Sequence, residues 1–159
     1  MSTLFVDTIN EKTTNNGVEI PGHVLQVVQG TTTTESSTTS TAFVDSGLSV
    51  TITPTSSSSK ILIMSDFGTS SADSTGGMII QLLRGSTTLF YRGVSYKGGT
   101  TVLYNNASLN HLDSPSTTSA TTYKVQYRTQ ASSSQSIINP SYGGFTNPTS
   151  HIIAMEIGG

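Results

Sequence analysis

Apolar residues recur along this chain in short runs, and the clearest runs alternate with polar residues at every second position. Tyr123-Lys124-Val125-Gln126-Tyr127-Arg128 puts Tyr123, Val125 and Tyr127 on one face of an extended strand and Lys124, Gln126 and Arg128 on the other. Leu48-Ser49-Val50-Thr51-Ile52 alternates in the same way, shortly after Phe43-Val44. Val24-Leu25-Gln26-Val27-Val28 reads as a largely buried strand. Lys60-Ile61-Leu62-Ile63-Met64 and Met78-Ile79-Ile80-Gln81-Leu82-Leu83-Arg84 read as further strands. The run Ile152-Ile153-Ala154-Met155-Glu156-Ile157 closes the sequence; a terminal strand that apolar is expected at the centre of a sheet, which fixes the tail. No window of a dozen residues repeats apolar positions at three-and-four spacing, so helix is nearly excluded.

Turn signals divide these runs. Pro54 and the serines Ser56 to Ser59 form a turn, Gly76-Gly77 opens another strand, and Arg84-Gly85-Ser86-Thr87 reads as a hairpin loop into Leu89-Phe90-Tyr91. Thr31 to Thr41 suits a loop or a polar edge strand, and Gly93 to Asn106 gives a weak reading. Near the start, Leu4-Phe5-Val6 and Val18-Glu19-Ile20 flank Asn15-Asn16-Gly17, a strong hairpin signal, before Pro21-Gly22 breaks the chain. A piece this small buries no core of its own. Residues 1–22 are therefore read as an arm and residues 23–159 as one domain. Eight to ten short strands point to an all-β fold, a β-sandwich of jelly-roll type, with no internal repeat.

Composition sharpens this picture. Hydrophobic residues make up 33% of the 159 and charged residues 10%, while Ser and Thr occupy 53 positions. Low hydrophobicity with high net charge would signal disorder, but the formal charge is only -2. A thin, β-branched core leaves a single subunit marginal and favours burial against neighbours. Cysteine is absent, so no disulfide or thiolate metal site supports the fold. Seven scattered Lys and Arg give no basic stripe for nucleic acid. No apolar run approaches the roughly 20 residues that span a membrane, and the N-terminus lacks the regions of a signal peptide. The expectation is a protein that binds neither nucleic acid nor membrane and is assembled where it is made.

The search for chemistry yields little. His23, His111 and His151 are dispersed; His111-Leu112-Asp113 has the one metal-like spacing, and surface or half-buried roles explain all three histidines more simply. Asp66, Asp73 and Asp113 flank apolar strands, where a carboxylate pair would suit a glycosidase, but turn-capping and solvated roles account for them. No Gly-x-Ser-x-Gly elbow holds a serine, and no Gly-rich piece sits between a strand and a helix. Catalytic residues, metal and cofactor are therefore all expected to be absent. Glu156 interrupts its apolar run on the face of Ile152 and Ala154. It is expected either in solvent or buried in a structural pair with Lys60, Arg84 or Arg128. Tyr91, Tyr96, Tyr104, Tyr142 and Phe145 fall near loops or strand ends, where aromatics stack on sugar rings or anchor subunit interfaces. The loops from Gly93 to Pro115 and from Ser132 to Pro148 are where such function would reside.

Two stretches carry a resemblance. Val6-Asp7-Thr8-Ile9-Asn10-Glu11-Lys12-Thr13, continuing through Asn15-Asn16-Gly17-Val18-Glu19-Ile20, resembles a short element of fibre and other virion proteins of environmental, notably marine, bacteriophages. Val24 to Val28, Gly47 to Pro54 and Ser59 to Ile63 are similar to a β-rich domain of the same proteins, and Ile153 to Ile157 agrees with its last strand. The resemblance does not extend over Gly68 to Thr149. Such domains resemble trimeric jelly rolls of the tumour-necrosis-factor type, which implies a homotrimer. A long shaft is missing, which suits a capsid decoration or cement protein more than a fibre. Leu4, Phe5, Val6, Ile9, Val18 and Ile20 would be the attachment arm, and the major capsid protein or another virion structural protein the partner. The alternative is a tail-fibre or head-fibre tip that binds a host-cell glycan. Either way the implied location is the virion, assembled in the host bacterial cytoplasm.

Overall fold

The structure is a computed structural model that describes residues 6–8, 22–72, 77–96, 103–141, 143 and 147–159. Of the arm, Val6, Asp7 and Thr8 are exposed and outside regular structure. Leu4, Phe5, Ile9, Val18, Ile20 and the Asn15-Asn16-Gly17 turn lie outside the described residues. The described strands are β1 (Val24–Thr32), β2 (Ser36–Thr38), β3 (Val44–Ile52), β4 (Lys60–Ala72), β5 (Gly77–Arg84), β6 (Thr87–Tyr96), β7 (Leu103–Asp113), β8 (Thr121–Thr129), β9 (Gln135–Ile138) and β10 (Ser150–Ile157).

These strands occupy eight rows in two antiparallel sheets. In the first sheet β10 and β9 lie end to end along one side of β4, pairing with Lys60 to Asp66 and with Thr69 to Ala72. β1 and β2 lie end to end beyond them, and β7 runs along the other side of β4. Counting each collinear pair as one row, the order is β1/β2, β10/β9, β4, β7. The second sheet has the order β3, β8, β5, β6. Row by row the chain crosses from one sheet to the other at every connection except the β5–β6 hairpin. That is the jelly-roll winding of two Greek keys. The expected turn at Gly85-Ser86 closes that hairpin, with Gly85 at φ 57°.

Inner-face residues from both sheets form the core, including Leu48, Val50, Ile52, Ile61, Ile63, Phe67, Met78, Ile80, Leu82, Leu109 and Ile152. Tyr123, Val125 and Tyr127 all point inward from β8, as their alternation predicts. Both tyrosines cross the sandwich and bond to the facing sheet. Tyr123 donates to Asp113 Oδ2 on β7 (2.7 Å), and the Tyr127 hydroxyl meets Ser36 Oγ on β2 (2.8 Å). Burial pushes both phenols up, and the Asp113 carboxylate raises Tyr123 further. Asp113 also receives Arg84 of β5 on both oxygens (2.9 and 2.8 Å). The inner positions turn hydroxylic toward the end where β4 finishes, with Thr69, Ser71, Thr129, Ser134 and Ser136 all buried. β10 is central between β1 and β4, as expected of so apolar a terminal run.

The sandwich closes along both long sides. On one, β1 meets β3 so tightly that a Cβ added to Gly30 would lie 1.9 Å from the Ser49 carbonyl oxygen. On the other, Arg92 of β6 donates to the Ser108 carbonyl of β7, and the Phe90 and His111 rings stand 5.5 Å apart.

Candidate functional site

The outer faces of the two sheets differ in chemistry. Across the β3–β8–β5–β6 sheet runs one hydrogen-bonded polar chain. Asp45 accepts from Gln126 (2.7 Å) and pairs with Lys124 (3.0 Å); Gln81 donates to Gln126 (2.7 Å) and accepts from Thr88 (3.3 Å). The hydrogen bonds from Gln126 and Lys124 hold the Asp45 carboxyl below its usual range. Such a face suits water.

The other sheet's outer face carries apolar rows. Register places Val27, Met155, Leu62 and Leu112 side by side across all four rows of that sheet. Beside them lie Ile153 and Met64, and on the other side Val24 and Ile157. Val24 is 42% exposed, Val27 53% and Leu112 50%. This corrects the sequence reading of Val24 to Val28 as a largely buried strand. β1 is an edge row, and alternation sends Val27 outward while Val28 packs on the core. An antiparallel sheet with one solvated face usually alternates apolar-in with polar-out. Here Val27, Leu62, Leu112, Ile153, Met155 and Ile157 break that pattern on one side only.

Further along the same face the chemistry becomes polar, through Thr31, His151, Asp66 and Ser108 in register, and ends in a groove. The row formed by β9 and β10 is interrupted after Ile138, and the chain detours over β4 before Ser150 resumes the row. Asn139 starts the detour at φ 54° and is buried. Its amide donates to the carbonyls of Thr32 (3.1 Å) and Thr34 (3.2 Å), its Oδ1 accepts from Ser150, and its backbone N–H donates to Gly68 (2.9 Å). Glu35 holds Ser141 by its N–H (2.8 Å) and hydroxyl (3.1 Å). Pro148 then packs where a side chain at residue 68 would stand, 3.0 Å from that Cβ position, so a larger residue there would have to displace the proline ring. Gly68, Thr69, Tyr104, Asn105, Asn106, Pro140 and Pro148 line an open groove of about 470 Å³.

A smaller hollow of about 130 Å³ sits at the β3 bulge, lined by Asp45, Gly47, Leu48, Ser49, Lys124 and Val125. Its charged groups are already engaged with one another and with Gln126, so the groove is the better candidate site.

Of the aromatics singled out in the sequence, Tyr104 lines the groove and is 44% exposed, whereas Tyr91 stands 70% exposed on β6 of the opposite sheet. Tyr142, Phe145 and the Tyr96 side chain lie outside the described residues. The structure brings residues of the two suspected loop regions together, since Tyr104, Asn105 and Asn106 line one side of the groove and Pro140 and Pro148 the other. Sequence reasoning missed Gly68, Asn105, Asn106, Pro140 and Pro148; the last four lie within those loop ranges, and Gly68, in β4, gave no signal.

Glu156 faces inward with Ile152 and Ala154, as alternation requires, but its partners are not the expected basic residues. Gln26 donates to Oε2 (2.5 Å), and the Thr55 N–H (2.7 Å) and hydroxyl (2.8 Å) donate to Oε1. Burial alone would raise its pKa; the hydrogen bonds from Gln26 and Thr55 outweigh that and hold it below the ordinary carboxylate value. Arg84 is spent instead on Asp113. Among the described residues no three His, Asp or Glu side chains come together in a metal-binding group.

No family model matches the chain, and no curated protein does. Solved structures similar to it include the VP2 subviral particle of infectious bursal disease virus, at 16% identity and a TM-score of 0.47, covering 83% of this chain. A structure of the Gx strain of that virus has a TM-score of 0.42 at 16% identity over 84% of this chain. The T13 particle of the virus has 0.40 at 17% identity over 83%. The chain spans 37%, 37% and 35% of those chains' lengths.

Proposed function

We propose that this chain is a non-enzymatic structural protein of a bacteriophage particle, a homotrimer that decorates the capsid. Residues 1–22 attach it to the major capsid protein or another virion protein, and the jelly roll packs against its sister copies. The location that follows is the virion, assembled in the host bacterial cytoplasm. The observation that carries the reading is the asymmetry of the outer faces. One sheet is covered by a hydrogen-bonded polar chain, and the other presents Val24, Val27, Leu62, Leu112, Met155 and Ile157 in adjacent rows. Contiguous apolar rows on one face of an otherwise polar domain mark an interaction surface. The low apolar content of the core makes burial there valuable to the fold. The resemblance of residues 6–20 to a virion element supplies the context.

The test is sedimentation equilibrium on the purified chain. A trimer is expected at micromolar concentration, and Val27→Asp or Leu112→Asp should give a folded monomer with unchanged strand content by circular dichroism. A wild-type monomer at tens of micromolar would refute the reading. A second reading is a fibre tip that binds a host-cell glycan, and the groove beside Tyr104 is the observation that favours it.

A further inference from the structure

We propose that the free edge of β7 is a strand-pairing surface for a second copy of this chain, and that Arg92 keeps it closed. The inference goes beyond the trimer reading, which uses the outer face of the sheet and not its edge. It starts from how the edge strands are protected.

A strand with unpaired N–H and carbonyl groups is a template for another chain unless something blunts it; bulges, short strands, proline, lysine and inward-pointing charges all do so. β1 and β3 each contain a register shift and lie against one another at Gly30 and Ser49. β2 is only three residues long. β6 contains two register shifts and turns the charged Arg92 inward, in register with the buried Ile80. β7 has none of these devices. It runs 11 residues beside β4 without a register shift and holds no proline or lysine. Among the described residues it pairs with no other strand.

The ladder decides which groups face that edge. Thr69 of β4 donates through its hydroxyl to the Asn105 carbonyl (3.2 Å), so the odd-numbered residues of β7 turn their backbone groups toward β4. In an antiparallel pair the alternate residues turn theirs away. The N–H and carbonyl groups of Asn106, Ser108, Asn110 and Leu112 therefore point off the sheet. Arg92 accordingly reaches the Ser108 carbonyl from across the open side of the sandwich. That one side chain caps the middle of the strand. Among the described residues nothing else meets the edge-facing groups of Asn106, Asn110 and Leu112.

A second copy fits this edge because the strand is complementary to itself. Antiparallel self-pairing centred on Leu109 sets Ser108 opposite Asn110 and Asn106 opposite Leu112, so no charges meet on that face. On the other face His111 comes opposite Ala107, and Asp113 opposite Asn105. In this register the Ser108 carbonyl accepts from the Asn110 N–H of the second copy, the bond that Arg92 now replaces. Main-chain pairing of this kind supplies affinity without a dedicated pocket. Removing Arg92 opens the surface.

The experiment is sedimentation equilibrium of the full chain carrying Val27→Asp, which disrupts the outer-face contact, with and without Arg92→Ala. The single variant is expected as a monomer and the double variant as a dimer at tens of micromolar, with strand content unchanged by circular dichroism. Adding Asn110→Pro deletes one edge-facing N–H at a position where an edge strand accepts proline, and should return the monomer. Hydrogen exchange in the otherwise wild-type chain gives a second readout that needs no proline. There the Asn110 amide should exchange at least tenfold more slowly with Arg92→Ala than without it. A double variant that stays monomeric, an Asn110 amide that exchanges equally fast without Arg92, or a dimer that survives Asn110→Pro would each overturn the inference. Open-ended aggregates in place of a dimer would overturn the self-pairing. If Val27→Asp alone remains a trimer, the trimer reading of the outer face fails, and the Asn110 amide still decides the role of the edge.

Discussion

Glu156 offers the sharpest test of how this thin core is held. Its carboxylate is fully buried, yet its hydrogen-bond donors are all neutral: Gln26 on one oxygen, and the Thr55 N–H and hydroxyl on the other. Gln26 also donates to the Thr53 carbonyl at 2.7 Å, so its amide nitrogen is committed on both sides. Glu156→Gln keeps shape and volume but sets one NH₂ group against another at the 2.5 Å contact. Flipping Gln26 would only move the conflict to the Thr53 carbonyl. The variant therefore loses one charge-assisted hydrogen bond and weakens the two from Thr55. Hydrogen bonds to charged groups contribute about 1.5–3 kcal/mol each. Relief from burying a charge offsets part of that, leaving a net cost of about 2 kcal/mol. For a chain of this length that is a fall in thermal midpoint of about 4–8 °C. Acid adds a second signature. The folded-state pKa lies below its ordinary value of 4.5, so in that window the unfolded chain binds the extra proton. The contribution is complete above the ordinary value and is lost as pH falls through the folded one. Urea unfolding of both proteins at pH 7 and pH 3, at one protein concentration, should show the gap between them narrowing in acid. A gap that is equal at both pH values, or absent at pH 7, would refute this account of the buried carboxylate.

Two other positions test the closure of the sandwich and the anchoring of its detour. Gly30→Ala places a methyl group 1.9 Å from the Ser49 carbonyl oxygen and forces β1 off β3. The expected loss is about 3 kcal/mol, seen as a midpoint lower by roughly 6–12 °C, and an unchanged midpoint would show that β1 and β3 are not so close. Asn139→Gly keeps the left-handed backbone but drops the bonds to Thr32, Thr34 and Ser150, for about 2–3 kcal/mol. Asn139→Ala should cost about 1 kcal/mol more for the strained φ, and denaturant titration of the pair separates the two effects.

Strands with apolar residues at their inner positions were legible from sequence. β3, β4, β5, β8 and β10 all fall where alternation or a continuous apolar run places them. β7 and β9 escaped because their inner positions hold few large apolar residues. β7 offers Ala107 and Leu109, and β9 pairs the small Ser136 with Ile138. Where Thr69, Ser71, Thr129 and Ser136 line the inside, a hydrophobic period has nothing to detect. The Thr31 to Thr41 segment proved to be strand in two pieces, Thr31-Thr32 and Ser36–Thr38, set in one line. At the candidate site, Tyr104 was visible as an exposed aromatic, but its neighbours were not. Gly68 matters only because Pro148 returns to it across 80 residues of sequence, and no local pattern encodes that meeting. Glu156 shows the same limit: its inward direction follows from alternation, whereas neutral partners 130 and 101 residues away do not.

The interruption between β9 and β10 has an evolutionary side. Because the two strands lie in line on β4, the register of the row is set on either side of the detour and not by its length. Residues 140–149 can lengthen, shorten or change identity without shifting a single cross-strand pair, provided Asn139 and Ser150 keep their anchors. The connection between the two strands is thus a replaceable cassette on a fixed frame. Diversification there would alter what the surface recognises and leave the frame's folding and packing as they are.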